Sequence, residues 1–175
     1  MQVGRLWVGP PWEAPSDDRL QVVIDPGRAF GTGAHPSTRL CLELLQRVPS
    51  GGCLDVGCGS GVIAVAAAKL GFEPVVAIDV DEHAVEATLR NAAANGVDVR
   101  AFRADACVAQ LPSADVAVAN LTHELVLRVV PRLDCDVVVT AGYLRTDSLD
   151  LPGFRRMEHV IEDDWAADLL KRAAQ

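Results

Sequence analysis

Residues 53–61 read Cys-Leu-Asp-Val-Gly-Cys-Gly-Ser-Gly, and an alanine-rich apolar run follows directly, up to Leu70. A short buried run, a glycine-rich turn and a helical run in that order make a strand that feeds a crossover helix. Glycine suits such a turn because it tolerates positive φ and leaves room for a ligand to approach the backbone. The helix start adds free N–H groups and the positive end of its dipole. An acidic residue, Asp79, closes the next apolar run 22 positions after Gly57. This combination belongs to open α/β sheets, whose ligands bind at the carboxyl ends of the strands.

The rest of the chain fits that frame. Strands are expected over residues 53–56, 75–79, 99–103, 115–119 and 137–141, with helices over 62–70, 82–94 and 124–130. The expected buried face of the 82–94 helix carries Ala84, Val85, Thr88, Leu89, Ala92 and Ala93, and Asn95-Gly96 is its stop signal. An earlier helix starts near Pro36 and carries Leu40, Cys41, Leu44, Leu45 and Val48 at helical spacing. The strands are continuous apolar runs rather than alternating ones, as expected when helices cover both faces of a sheet. Repeated strand–helix units with short links predict a mostly parallel, doubly wound α/β sheet. Short strands are expected around residues 6–8 and 21–24. Residues 157–161 suit a strand, while 165–170 fit a strand or a helix equally.

Composition removes several function classes. The chain has 175 residues, half of them apolar and 23% charged, which suits one globular domain. We expect an N-terminal extension over residues 1–24 and a core over 25–175. No apolar run approaches the ~20 residues that cross a bilayer, so no membrane partner is expected. A net charge of −8 argues against grip on a phosphate backbone. Five cysteines form no Cys-x-x-Cys pair and four histidines no ligand-like spacing. Reduced thiols in a cytoplasmic protein, without a metal site, are the expectation.

The glycine spacing narrows the ligand. Dinucleotide enzymes use Gly-x-Gly-x-x-Gly to face a pyrophosphate, whereas Gly57, Gly59 and Gly61 are spaced Gly-x-Gly-x-Gly behind Asp55. An acid beside the loop suits the ammonium of S-adenosylmethionine, which has no pyrophosphate. Asp79 is placed to accept both ribose hydroxyls, and Asp105, after the third strand, to reach the adenine edge. Asn120 ends the fourth strand, where its amide would lie beside the transferable methyl group. Each residue also has a plainer reading: Asp79 or Asp81 as a helix cap, Asp105 as a turn residue, Cys58 as packing.

Two further segments carry a resemblance. Residues 29–38 read Ala-Phe-Gly-Thr-Gly-Ala-His-Pro-Ser-Thr, and residues 119–121 read Ala-Asn-Leu. With the Asp55–Gly61 loop and Asp79, they resemble the methyltransferases that modify large-subunit ribosomal protein eleven. The resemblance runs over roughly residues 4 to 170; Ser37 departs from the usual Thr but keeps a hydroxyl. It implies a Rossmann-like class I methyltransferase fold and cofactor contacts from Thr38, Gly57, Asp79 and Asn120. It also implies a cofactor-covering loop that includes Phe30 and Thr32. Family members carry a separate N-terminal domain that grips the ribosomal protein, and that domain is expected to be absent here.

The expected activity is therefore N-methylation of protein amino groups, with a ribosomal protein as the implied partner. Methyl transfer from a sulfonium is an in-line displacement that needs alignment and a deprotonated amine more than a dedicated base. Asn120 is the candidate catalytic residue, orienting the attacking nitrogen. His35 and His123 are expected to be structural or substrate-contact residues. Small-molecule methylation and a non-catalytic S-adenosylmethionine-binding module remain as alternatives. Glutamine methylation is disfavoured because Asn120-Leu121-Thr122-His123 lacks an Asn-Pro-Pro-Tyr run.

Overall fold

The computed structural model describes residues 1–13, 18–25 and 35–173. A small N-terminal sheet contains β1 (Gln2–Val3), β2 (Leu6–Gly9) and β3 (Leu20–Val23). Helix α1 (Pro36–Leu45) leads into β4 (Cys53–Val56), α2 (Val62–Lys69), β5 (Val75–Asp79), α3 (Glu82–Asn95) and β6 (Arg100–Arg103). Then come β7 (Val116–Asn120), α4 (His123–Val129) with a short 3-10 turn, β8 (Val137–Leu144), β9 (Phe154–Glu162) and β10 (Trp165–Arg172).

The main sheet has seven strands in the order β6-β5-β4-β7-β8-β10-β9. From β6 to β8 every pairing is parallel. β10 then pairs antiparallel with both β8 and β9. Chain order reverses beside β4, so the sheet has its switch point between β4 and β7, where ligands of such sheets bind.

Side chains along the strands alternate between two cores. Cys53, Val116, Val118, Val139 and Ala141 join the core that contains α1 and α2. Leu54, Val56, Ala117 and Val138 face the opposite core, beneath Val126 and Val129 of α4. Both faces are dry, which is why these strands read as unbroken apolar runs. Each fully buried Val or Leu contributes about 1.5–3 kcal/mol.

Local signals explain the helix ends. His35 caps α1 by accepting from the Ser37 N–H, and Pro36 occupies the first turn. Asp81 caps α3 by accepting from the His83 N–H, and Gly96, at φ 63°, ends it. α2 is apolar nearly all round because it is wedged between β4, β5, α1 and α3.

One expectation changes, one open reading is resolved and one element is added. On the expected buried face of α3, Ala84, Val85, Thr88 and Ala92 are buried, but Leu89 is exposed and Asn91 takes an inward position that was not expected. Ala93 is exposed as well. Polar groups face inward there because backbone carbonyls await them, as described below. Residues 165–170 are strand, inside the sheet and covered on both faces, so they show no alternation. β1 was not foreseen, being two residues long. Among the described residues no helix is long and apolar enough to cross a membrane.

Candidate functional site

Sheet register builds the site. Val56 lies opposite Ile78 of β5 and opposite Ala119 of β7. One residue further along, Gly57 is therefore flanked by Asp79 on one side and Asn120 on the other. Neighbouring strands are about 4.8 Å apart, so the two side chains stand on strands about 10 Å apart with the glycine loop between them.

The loop needs its glycines. Gly57 has φ 76°, and a Cβ there would lie 2.5 Å from Leu121 Cδ2. Gly61 has φ 81°, and a Cβ there would lie 2.8 Å from the Thr88 Cα. The N–H groups of Gly57 and Cys58 both donate to Ile78 O, at 2.8 and 3.0 Å, and anchor the loop root to β5.

Asp79 is tied to the same loop. Its Oδ2 accepts from the Gly59 N–H at 3.0 Å and its Oδ1 from the Asp81 N–H at 3.0 Å. The cap of α3 is Asp81, which leaves Asp79 half-buried at the strand end. Asp105 is exposed, and its Oδ1 accepts from the Cys107 N–H at 2.8 Å, the turn role of such a residue.

Asp55 lies beneath the loop and is only 1% exposed. Its Oδ2 accepts from the Ala64 N–H in the first turn of α2, at 3.0 Å. Burial pushes its carboxyl up to about 7, the Ala64 bond pulls it back, and the nearby Asp79 charge pushes it up again. Cys58 is buried as well; desolvation pushes its thiol up to about 12, and it receives the Thr88 hydroxyl at 3.2 Å. A thiol so protonated is a packing group.

On the other flank, the Asn120 Nδ2 donates to Thr38 Oγ1 at 3.3 Å. Thr38 is buried near the start of α1. Two contacts fix that helix end: His35 packs edge-on against Trp165, with ring centroids 4.4 Å apart, and Arg39 forms a bidentate pair with Glu162. Glu162 raises the Arg39 guanidinium further through that hydrogen bond. The next turn of chain is clamped too. Leu121 N–H donates to Ala141 O at 2.9 Å, and β8 passes so close that a Cβ on Gly142 would lie 2.2 Å from Leu121 O. His123 sits on the far wall, half-buried, with Nε2 2.9 Å from Ser148 O and its ring against Tyr143.

Thr38, Asp55, Gly57, Gly59, Asp79 and Asn120 thus gather around one loop, with Asp105 at its margin. Phe30 and Thr32 lie outside the described residues. Asn91, Gly142 and Trp165 frame the site and were not singled out from the sequence; Thr88, expected only as a buried residue of α3, joins them. Only Gly142 left a local trace, as a glycine interrupting an apolar strand.

The family model described as ribosomal protein L11 methyltransferase (PrmA) matches residues 1–167. The chain belongs to that family. A ribosomal protein L11 methyltransferase of Dechloromonas aromatica is 47% identical over 143 residues, 80% of this chain and 47% of that protein. One from Alteromonas mediterranea is 40% identical and covers 97% of this chain and 58% of its own length. The chain spans about half the length of these curated relatives. Among solved structures, a ribosomal protein L11 methylase from Lactobacillus delbrueckii subsp. bulgaricus superposes with a TM-score of 0.85. It is 29% identical, and the match covers 98% of this chain and 96% of that one. The fold is accordingly the Rossmann-like class I methyltransferase fold. A tRNA (uracil-54, C5)-methyltransferase of Pyrococcus abyssi, solved in complex with S-adenosyl-L-homocysteine, shares the fold alone, with a TM-score of 0.63 and 21% identity. Methyltransferases of the L11 family use S-adenosylmethionine.

The donor set suits that cofactor. A carboxylate at the end of β5 complements ribose hydroxyls, and a buried acid under the loop complements an ammonium.

Proposed function

We propose that this chain is the methyltransferase domain of an S-adenosylmethionine-dependent N-methyltransferase that acts on amino groups of a ribosomal protein. The observation that carries the reading is the register that sets Asp79 and Asn120 on either side of Gly57. In this reading Asp79 accepts the ribose hydroxyls, Asp55 and the Gly57–Gly59 backbone hold the amino-acid end, and Asp105 meets the adenine edge. Residues 1–24 form an extension and 25–175 the core of one domain, working in the cytoplasm.

S-adenosylmethionine supplies a methyl group on a sulfonium that is already a good leaving group. What remains for the protein is alignment and exclusion of water. Thr38 holds the Asn120 amide through Nδ2, which leaves Oδ1 as its acceptor. That oxygen accepts a hydrogen bond from the incoming neutral amine and orients its lone pair. Leu121, pressed against Gly57 and β8, keeps Asn120 at a fixed height beside the loop. No protein group is asked to take a proton in the transfer itself.

Two measurements test the proposal. Calorimetry with S-adenosylhomocysteine is expected to show binding that Asp79→Ala weakens at least about tenfold, since a charge-assisted pair of hydrogen bonds is lost. Unchanged affinity would remove Asp79 from the ribose. A labelled methyl donor incubated with purified ribosomal proteins is expected to mark one of them. Label confined to small metabolites would transfer the activity to another acceptor class, and no label in any pool would leave a binding module.

A further inference from the structure

Helix α3 carries two asparagines one turn apart, and both reach the end of β3. Asn95 Oδ1 accepts from the Val23 N–H at 2.8 Å, and its Nδ2 donates to Val23 O at 2.6 Å. Asn91 repeats the pattern two residues along, with Oδ1 accepting from the Asp25 N–H at 3.0 Å and Nδ2 reaching Asp25 O at 3.4 Å. Together they act as a side-chain ladder in place of a neighbouring strand. Asn91 differs in one respect: its Nδ2 also donates to Ser60 O, at 2.8 Å, inside the glycine loop. It is 3% exposed, so water offers no substitute.

That bond fixes one peptide group at both ends. The carbonyl of Ser60 points to Asn91, and the N–H of the same peptide, on Gly61, donates to Cys58 O at 2.7 Å. One residue earlier the Thr88 hydroxyl lies 3.3 Å from Gly59 O, while the Gly59 N–H is held by Asp79. A run of held peptides thus leads from Asn91 to the Asp79 carboxylate.

We infer that Asn91 is a positioning residue for the cofactor site: by holding Ser60 O it sets the orientation of the glycine loop and, through Gly59, that of Asp79. This rests on the glycine loop being the cofactor cradle. A well-placed site depends on supporting bonds of this kind, and small misplacements carry large costs.

Asn95 provides the control, because it makes the matching two-bond tether to Val23 without touching the loop. Both Asn91→Ala and Asn95→Ala are expected to lower the melting temperature. Only Asn91→Ala is expected to weaken S-adenosylhomocysteine binding, by about tenfold, with Asn95→Ala within twofold of the parent. Equal losses in the two variants, or no loss in Asn91→Ala, would overturn the inference. Amide exchange at Gly61 reads the same point without ligand and is expected to speed up in Asn91→Ala alone; unchanged exchange there would also overturn it. If the parent binds no S-adenosylhomocysteine, the cofactor reading fails, and the Gly61 result still decides whether Asn91 holds the loop. Should Asn91→Ala not fold, Asn91→Ser removes the amide donor to Ser60 without introducing a buried charge, and the same comparisons apply.

Discussion

Asp55 pays for its position under the loop. Its carboxyl is pushed from 3.8 up to about 7, chiefly by burial. A native acid raised this way keeps its proton where the unfolded chain has released it, so stability falls as pH rises from about 4 to about 7 and levels off above. From 3.8 to about 7 the linkage amounts to about 4 kcal/mol. Asn keeps an acceptor for the Ala64 N–H and carries no charge. Asp55→Asn is therefore expected to melt higher than the parent at pH 8, with the gap closing toward pH 5, in thermal unfolding followed by circular dichroism. The same variant is expected to bind S-adenosylhomocysteine more weakly at pH 8, because the ammonium loses its counter-charge. A variant that is more stable and binds equally well would free Asp55 of any ligand role. One that melts lower at pH 8 would refute the burial argument itself.

At the scale of elements, what positions Asn120 is the way β8 passes the end of β7. Gly142 has φ 97°, and a Cβ there would meet the backbone oxygen of Leu121 at 2.2 Å. Backbone cannot step aside as a flexible side chain does, and a left-handed φ adds strain for any L residue. Gly142→Ala is expected to cost more than about 2 kcal/mol in denaturant unfolding. Its turnover is expected to fall further than its cofactor affinity, since the shift reaches Asn120 before Asp79. Equal loss of both would mean that the whole sheet edge moves. β4, β5 and β7 were legible in the sequence because helices cover both faces and leave unbroken apolar runs, and the glycine loop because its spacing is local. The supports were not legible. A helical Asn such as Asn91 looks like a surface residue until the carbonyl that it meets is known, and Trp165 looks like core until His35 stands against it. The exposed Leu89 shows the same effect in reverse: α3 gives two of its inward positions, Thr88 and Asn91, to polar groups that hold the loop.

For the molecule as a whole, the net charge of −8 becomes informative once the acceptor is read as a ribosomal protein. Asp79 closes β5, and Asp105 and Glu124 follow the carboxyl ends of β6 and β7, on the side where the site opens. A protein that grips RNA carries clustered Lys and Arg, so it meets an opposite potential here, and steering of this kind falls steeply with ionic strength. In steady-state methylation of a basic ribosomal protein, KM for the acceptor is expected to rise several-fold between about 50 and 300 mM salt, as the Debye length shrinks below about 10 Å. Turnover at saturation and the affinity for S-adenosylhomocysteine are expected to change little, because those contacts are short and partly shielded from solvent. A KM indifferent to salt would show that the acceptor is not captured through charge, and a neutral small-molecule acceptor would then fit the same site better.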